Sequence, residues 1–294
     1  MMKVGFIGLG RMGHGMASRI LQGGHDLVIF DLVPALLEDL GAAGATVAGS
    51  VAEVAADRDV VICMLPHDEA LDALVFSTGG LLECLPRGAI HMVSGTHGVE
   101  IIRELTTAHA EAGQVLVAGH VLGRPDLAAE GKLTLVPGGP PEALRRLQPV
   151  FEVLGKRTFI TGDEPQTSTA VKIANNFVLG SVIEIIGESM SLVRKFGVEP
   201  ALFQQVMTEG LFGAPAFHVY GQIIVEEAYD KVGASVHIGL KDANLALAAG
   251  EAVDVPLPSA NVWRDRLLSA RAHGGTDLDW AVMAREQARA SGIE

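Results

Sequence analysis

Lys172 and Asn176 stand four residues apart in QTSTAVKIANNF, residues 166–177, among Ala170, Val171, Ile173 and Ala174. On a helix that spacing puts the ammonium and the carboxamide on one face, with Asn175 alongside. An ammonium so placed can give a proton, or a strong hydrogen bond, to an oxygen that gains negative charge as a hydride is transferred. Partial desolvation would lower its pKa and ease proton exchange near neutral pH. Asn176 would hold the same oxygen or keep the ammonium in line. The chemistry is carbonyl reduction, or alcohol oxidation in reverse. A solvated polar stripe on an otherwise buried helix would show the same residues, so the reading leans on position: the pair opens a long helix at the expected end of an interdomain cleft.

Hydride chemistry needs a carrier, and the N-terminal end supplies a place for one. Gly8-Leu9-Gly10-Arg11-Met12-Gly13 follows a first apolar run and opens a helical pattern; a second run, LVIFD, ends at Asp31, eighteen residues after Gly13. Glycines at these positions permit a tight turn and close backbone approach to a pyrophosphate resting on the helix N-terminus. The spacing alone is a weak signal; strand, turn, helix and terminal acid together make a dinucleotide site. Asp31 would accept hydrogen bonds from the adenine ribose and repel a 2′-phosphate, and DLVPALLEDL contains no arginine to welcome one. NAD is therefore expected over NADP. The third run ends in CMLPHD, so Met64, Leu65 and Pro66 are expected to border the adenosine crevice, although Pro66 would also serve simply to end the strand.

Other chemistries find no support. The ten histidines form no HExxH and no Cys/His cluster, so no metal site is expected, and GESMS lacks the closing glycine of a nucleophile elbow. Cys63, inside a strand, reads as a buried inert thiol. His14, His25, His109 and His273 read as surface or loop residues; His97 and His120 fall near strand ends, where lining a cleft is the minority reading, and neither is counted among the site residues.

Two rhythms position these residues. Up to about residue 160, the runs KVGFIG, HDLVIF, DVVICML, GAIHMV, QVLVAG, KLTLVPGG and KRTFIT alternate with amphipathic segments such as VEIIRELTTAHAEAG. That pattern predicts an α/β fold, a Rossmann-type doubly wound and mainly parallel sheet, over residues 1–162. Beyond Pro165 the strand signals stop. One helical pattern of about thirty residues, roughly 45 Å at 1.5 Å per residue, leads into an all-helical domain over residues 163–294. Pro200 and Pro258 sit where first helical turns tolerate them.

Composition narrows the partners. The chain has 294 residues, 49% of them hydrophobic and 19% charged, with a net charge of −13 and no basic block. Nucleic acid and anionic membrane are thereby excluded as expected partners. The longest apolar stretch, FVLGSVIEIIG, is interrupted by Glu184 and too short to span a bilayer. Only two cysteines occur, and the N-terminus begins a strand at once, without a signal-peptide pattern; a soluble cytoplasmic protein is expected.

Four motifs in order now carry a resemblance over nearly the whole length. GFIGLGRMGHGMA, VKIANNF, GLKDANLAL and VPLP resemble the signatures of the β-hydroxyacid dehydrogenases, which include 3-hydroxyisobutyrate dehydrogenases and tartronate-semialdehyde reductases and are related to imine reductases. The resemblance implies that Lys172 is the catalytic lysine with Asn176 its partner, and that Lys241 lies near the nicotinamide, supported by Asp242. It further implies a small hydroxy acid, semialdehyde or keto compound as substrate, and a homodimer through the C-terminal helical domain.

Departures fall on the expected substrate loop. Where the family has D-A-P-V-S-G-G, this chain has AGHVLGR, so Leu122, Gly123 and Arg124 replace S-G-G. Arg124 either supplies an anion clamp through its guanidinium fork, or faces solvent or caps the next turn. The family's S-T pair becomes Ser94-Gly95-Thr96, with Ser94 expected on the substrate and Thr96 on the cofactor. Gln166 and Ser168 replace glycines before the lysine. The GRP loop and A-x-x-G-K-L resemble imine reductases, which makes reduction of C=N bonds the alternative, although those enzymes typically carry another residue in place of Lys172. A non-catalytic dinucleotide-binding regulator is the third reading.

Overall fold

Strands buried on both faces must be apolar at consecutive positions, with alternate side chains entering opposite layers. VVIC does this: Val60 and Ile62 join one buried cluster with Phe6, Met16 and Phe151, while Val61 and Cys63 join another with Val54, Leu71 and Ile102. The computed structural model, which describes residues 1–293, has eight strands, the central ones following this rule. They are β1 (Lys3–Ile7), β2 (Asp26–Phe30), β3 (Thr46–Val47), β4 (Val60–Cys63), β5 (Ile90–Val93), β6 (Val115–Leu122), β7 (Leu133–Gly138) and β8 (Gly155–Thr158). Their order is β3-β2-β1-β4-β5-β6-β7-β8, parallel throughout except between β6 and β7. The chain order reverses between β1 and β4, and the crevice outside the carboxyl ends of these two strands is where such sheets bind ligands. β3 escapes sequence reading because it is two residues long and exposed at both.

Two compact units divide the chain, Met1–Lys172 and Ile173–Glu294, with the boundary inside the long helix Pro165–Lys195. The first turns of that helix therefore belong with the sheet. The second unit packs the helices Pro200–Glu209, Pro215–Val225, Val236–Glu251, Pro258–Ala272 and Met283–Ala290 with the rest of the long helix. At its centre Trp263 and Trp280 meet edge to face, 6.4 Å between centroids, and the Trp280 indole donates to the Tyr220 hydroxyl at 3.1 Å. A Cβ on Gly180 would come within 2.8 Å of the Trp263 ring, and one on Gly187 within 2.9 Å of the Ala284 backbone, so the long helix approaches its neighbours over glycines.

The whole 31-residue helix, unlike the apolar stretch read from the sequence, is long and apolar enough to cross a membrane by length and composition. Core helices pass the same test, and its Glu184 is paired inside the second unit, accepting from Arg266 Nε at 3.0 Å.

Candidate active site

Around the turn after β1, the backbone alone dictates glycine. Gly8 has φ +90°, and a Cβ there would lie 2.6 Å from the Met64 carbonyl oxygen. A Cβ on Gly13 would lie 1.9 Å from the Gly8 oxygen. Gly10 differs: its φ is −60°, and a Cβ would meet nothing within 4 Å. Among the described residues nothing requires glycine at position 10, and the open space leaves its backbone accessible to a ligand. The helix that follows, Arg11–Gln22, has no side-chain cap and no acid in its first turn, as an anion site needs. Asp31, at the end of β2, accepts from Leu9 N at 2.7 Å and Val33 N at 2.9 Å, which fixes its carboxylate beside this turn. These residues fit a dinucleotide.

The neighbouring loops close on the same edge. Met64 abuts Gly8, and a Cβ on Gly95 would lie 2.4 Å from the Leu65 oxygen, so the loops after β1, β4 and β5 are in mutual contact. Met64 and Leu65 are half-buried and Pro66 is exposed; Ser94 is buried and Thr96 half-buried. His97 is fully buried, with Nδ1 2.9 Å from an Asp68 oxygen that also accepts from Gly98 N.

Lys172 comes to the end of β6, where Nζ donates to the Val121 carbonyl oxygen at 2.9 Å. The ammonium is thus held at the strand edge that also carries Leu122, Gly123 and Arg124. Arg124 opens the short helix Pro125–Ala129 but makes no side-chain cap; it is half-buried, and its Nη1 is turned inward without a hydrogen-bond partner. Ser94 Oγ and Ser168 Oγ are likewise buried and without hydrogen-bond partners. Buried polar atoms left open are rare in a finished fold, and each is a candidate to meet a ligand or water.

The second unit gathers a separate group. Asn176, 9% exposed, donates from Nδ2 to Asp242 Oδ2 at 2.8 Å, and Lys241 Nζ lies 3.2 Å from Asp242 Oδ1. Asp242 is itself buried, so this is no surface salt bridge. Asn175 is exposed on the long helix.

One expectation is overturned: His109 is neither a surface nor a loop residue but lies fully inside on the helix Val99–Glu111, Nδ1 2.6 Å from Gln114 Oε1. His25 is in a loop, as expected, though buried, and its Nδ1 accepts from Met2 N. His120 is fully buried, with Nε2 3.0 Å from Thr169 Oγ1, and burial followed by the Lys172 charge lowers its pKa to about 3. Thr169 had no signal in the sequence beyond standing three residues before the lysine. Cys63 is buried as expected, and burial pushes its thiol up to about 12. Among the described residues no cluster of metal-ligating side chains forms.

Comparison with known proteins agrees with this geometry. Residues 3–162 match the family model described as the NAD binding domain of 6-phosphogluconate dehydrogenase, and residues 167–286 that described as the NAD-binding domain of NADP-dependent 3-hydroxyisobutyrate dehydrogenase. An uncharacterized oxidoreductase of Bacillus subtilis, YfjR, is 38% identical, over 97% of this chain and 99% of its own. A 3-hydroxyisobutyrate dehydrogenase of Pseudomonas aeruginosa is 32% identical, over 95% and 96%. The crystal structure of a 3-hydroxyisobutyrate dehydrogenase from Salmonella typhimurium superposes with a TM-score of 0.87 at 26% identity, covering 97% of this chain and 99% of that one. An imine reductase from Myxococcus stipitatus shares the fold alone, with a TM-score of 0.64 at 20% identity and coverage of 96% and 99%.

Proposed function

Since the chain belongs to the β-hydroxyacid dehydrogenase family of NAD(P)-dependent oxidoreductases, we propose that Lys172 is its general acid/base, acting on a small hydroxy acid or the matching semialdehyde or keto compound. The observation that carries this is the Lys172 Nζ–Val121 O hydrogen bond, which holds an ammonium at the end of β6, the strand that runs into Leu122, Gly123 and Arg124. When bound, the nicotinamide supplies or accepts the hydride. The turn Gly8–Gly13, Asp31, Met64, Leu65, Pro66 and Thr96 hold the dinucleotide, and Lys241 serves its nicotinamide end.

In the reducing direction Lys172 gives a proton to the substrate oxygen as negative charge gathers there; in the oxidising direction it takes that proton back. Asn176, one helical turn on, orients the same oxygen. Asp242 fixes the Asn176 amide by accepting one Nδ2 hydrogen, which leaves the second to donate to the substrate oxygen and Oδ1 to accept from the ammonium. Arg124, with an inward Nη1 to satisfy, clamps the substrate carboxylate in place of the serine that is Leu122 here, and Ser94, Gly123 and Asn175 complete the contacts.

Lys172→Ala should lower kcat by about 10²- to 10⁴-fold while NADH still binds normally. Turnover within a few-fold of wild type would end this reading. Leu122 favours a second one, reduction of a C=N bond, because it removes a hydroxyl suited to a carboxylate. A panel of cyclic imines and C3–C5 semialdehydes, each with NADH and NADPH, separates the two. The same panel tests NAD over NADP, which the Asp31 carboxylate and the exposed Leu32 and Val33 after it support, with no cation in that loop.

A homodimer through the helical domain is supported by the long helix itself. Val171, Val178, Ile185 and Leu192 are exposed at a strict seven-residue spacing, the seam of a helix made to pair. Phe196 at 83% exposure continues it. The mass in solution decides. The two free cysteines suit a reducing cytoplasm.

A further inference from the structure

We infer that His120 and Thr169 form a positioning pair that sets the roll and register of the long helix on β6, and so aims the Lys172 ammonium. The inference rests on the catalytic reading of Lys172 for its consequence, but its geometry lies wholly within the first unit. Adjacent residues of one strand hold two positions of one helix: the His120 side chain meets Thr169 at 3.0 Å, and the Val121 carbonyl accepts from Lys172 at 2.9 Å. One tether leaves a helix free to roll about it. Two tethers, spaced about 3.3 Å along the strand and about 4.5 Å along the helix axis, do not. Both His120 and Thr169 are fully buried, so their hydrogen bond is shielded from bulk solvent.

The residue types suit the task. Buried apolar side chains would fill the same space without fixing an angle, whereas a buried hydrogen bond fails steeply with distance and direction. A cation in place of the neutral imidazole would repel the ammonium it positions, and a carboxylate would pair with it. Burial and the neighbouring Lys172 charge keep His120 neutral, though the Ser94 and Gly95 carbonyls favour a ring N–H. The pair therefore adds geometry without adding a competing acid or base. Where the D-A-P-V-S-G-G pattern has proline, this chain has His120, and a proline side chain can make no such bond. The pair therefore compensates, at the lysine, for a loop that has lost its usual sequence.

The test is Thr169→Val, which keeps the β-branched shape and removes the hydroxyl, beside Thr169→Ser, which restores it, and Lys172→Ala. Thr169→Ala is the second variant should valine disturb the helix. Two readouts are taken: kcat and KM with C3–C5 semialdehydes and NADH, and the ε-carbon resonance of Lys172 in ligand-free protein labelled with 13C-lysine, assigned by its loss in Lys172→Ala. Thr169→Val is expected to lower kcat about ten- to a hundredfold with KM within about twofold, and to move the Lys172 resonance, while Thr169→Ser returns both to wild type. If Lys172→Ala is inactive and Thr169→Val matches wild type in kcat and resonance, the positioning pair is overturned. If Lys172→Ala stays active, the catalytic reading falls instead. The resonance then decides the pair alone: moved by valine and restored by serine it stands, unmoved it falls.

Discussion

The two units bury polar side chains by opposite means. Among the described residues every buried histidine, His25, His91, His97, His109 and His120, lies in the first unit, and every buried Asp or Glu, Glu184, Asp242, Asp279 and Glu286, lies in the second. The first unit builds a relay of neutral groups. Gln114 donates from Nε2 to the Leu82 and Leu85 carbonyls, so its Oε1 must accept from His109 Nδ1; His109 Nε2 then accepts from His91 Nδ1 at 3.0 Å, and His91 Nε2 from the Cys63 thiol at 3.2 Å. Each tautomer follows from the last, and a proton added anywhere would break the chain. The second unit surrounds carboxylates with donors instead: Glu286 accepts from Ser269 and Arg289 and pairs with His273, and Asp279 accepts from the backbone of Gly233 and Ala281. Against the opposing effect of burial, donors hold Glu286 below the usual carboxylate range, so it matters only in stronger acid; between pH 7.5 and 5.5 the contrast is between the depressed imidazoles of the first unit and Glu184 of the second, which burial raises.

The largest effect should therefore appear on mild acidification. Burial holds the His91 pKa well below 6.5 and that of His120 at about 3, so the folded state resists protons that the unfolded chain takes up. A histidine depressed in the fold contributes stability that is full above its unfolded pKa and is lost as pH falls from there toward the folded value. At pH 5.5 these two cost the first unit about 3 kcal/mol relative to alkaline pH. Glu184 acts the other way: burial raises it to about 7 against the opposing pull of Arg266, so its contribution is present at low pH and lost as pH rises through 7. Going from pH 7.5 to 5.5 it strengthens the second unit by about 2 kcal/mol. Both tryptophans, Trp263 and Trp280, sit in the second unit, whereas far-UV circular dichroism reports both units. In urea titrations the dichroism midpoint should fall further than the tryptophan-fluorescence midpoint between these two pH values. Equal movement of the two would break the comparison.

A single substitution sharpens it at smaller cost. His91→Phe leaves the Cys63 thiol and His109 Nε2 without partners and should destabilise the first unit by about 1–3 kcal/mol at pH 7.5. The difference from wild type should shrink by about 1 kcal/mol at pH 5.5, because the variant has one fewer imidazole to keep neutral. A penalty independent of pH would show that His91 serves packing alone. Tryptophan fluorescence should be indifferent to the change.

How much of this was legible beforehand depended on whether a residue's role is local or long-range. The glycine turn, the acid at the end of β2, the alternation of strands and helices and the thirty-residue helix are written in short spacings, and the structure has them. The lysine's bond to Val121 spans 51 residues, and the Asn176–Asp242 bond 66, so no periodicity announces either. Histidine fared worst. Its polarity suggested a surface or loop position for His109, but an uncharged imidazole whose two nitrogens find partners, here Gln114 and His91, is as buriable as an amide. β3 was missed for want of length. Arg124 had three readings in sequence; its side chain caps nothing and turns one nitrogen inward, which only coordinates could reveal.

The mildest probe perturbs nothing before it reports. Both cysteines belong to the first unit, but Cys63 is fully buried with its thiol raised to about 12 and donating to His91, while Cys84 is half-exposed and donates only to the Gly79 carbonyl at 3.4 Å. A disulfide reagent such as dithiodipyridine, which reacts down to acid pH, should label one thiol promptly in the native protein, Cys84, and Cys63 only when the first unit opens. Thiolate content falls with pH for both residues once exposed, so the ratio of the two rates removes that common factor. If the relay protects Cys63 by staying neutral, the rate of Cys63 relative to Cys84 should climb as pH drops from 7.5 to 5.5, under conditions where tryptophan fluorescence is unchanged. A ratio that stays flat would mean that the relay's tautomers are packing decoration, and that the opposed pH responses of the two units arise elsewhere.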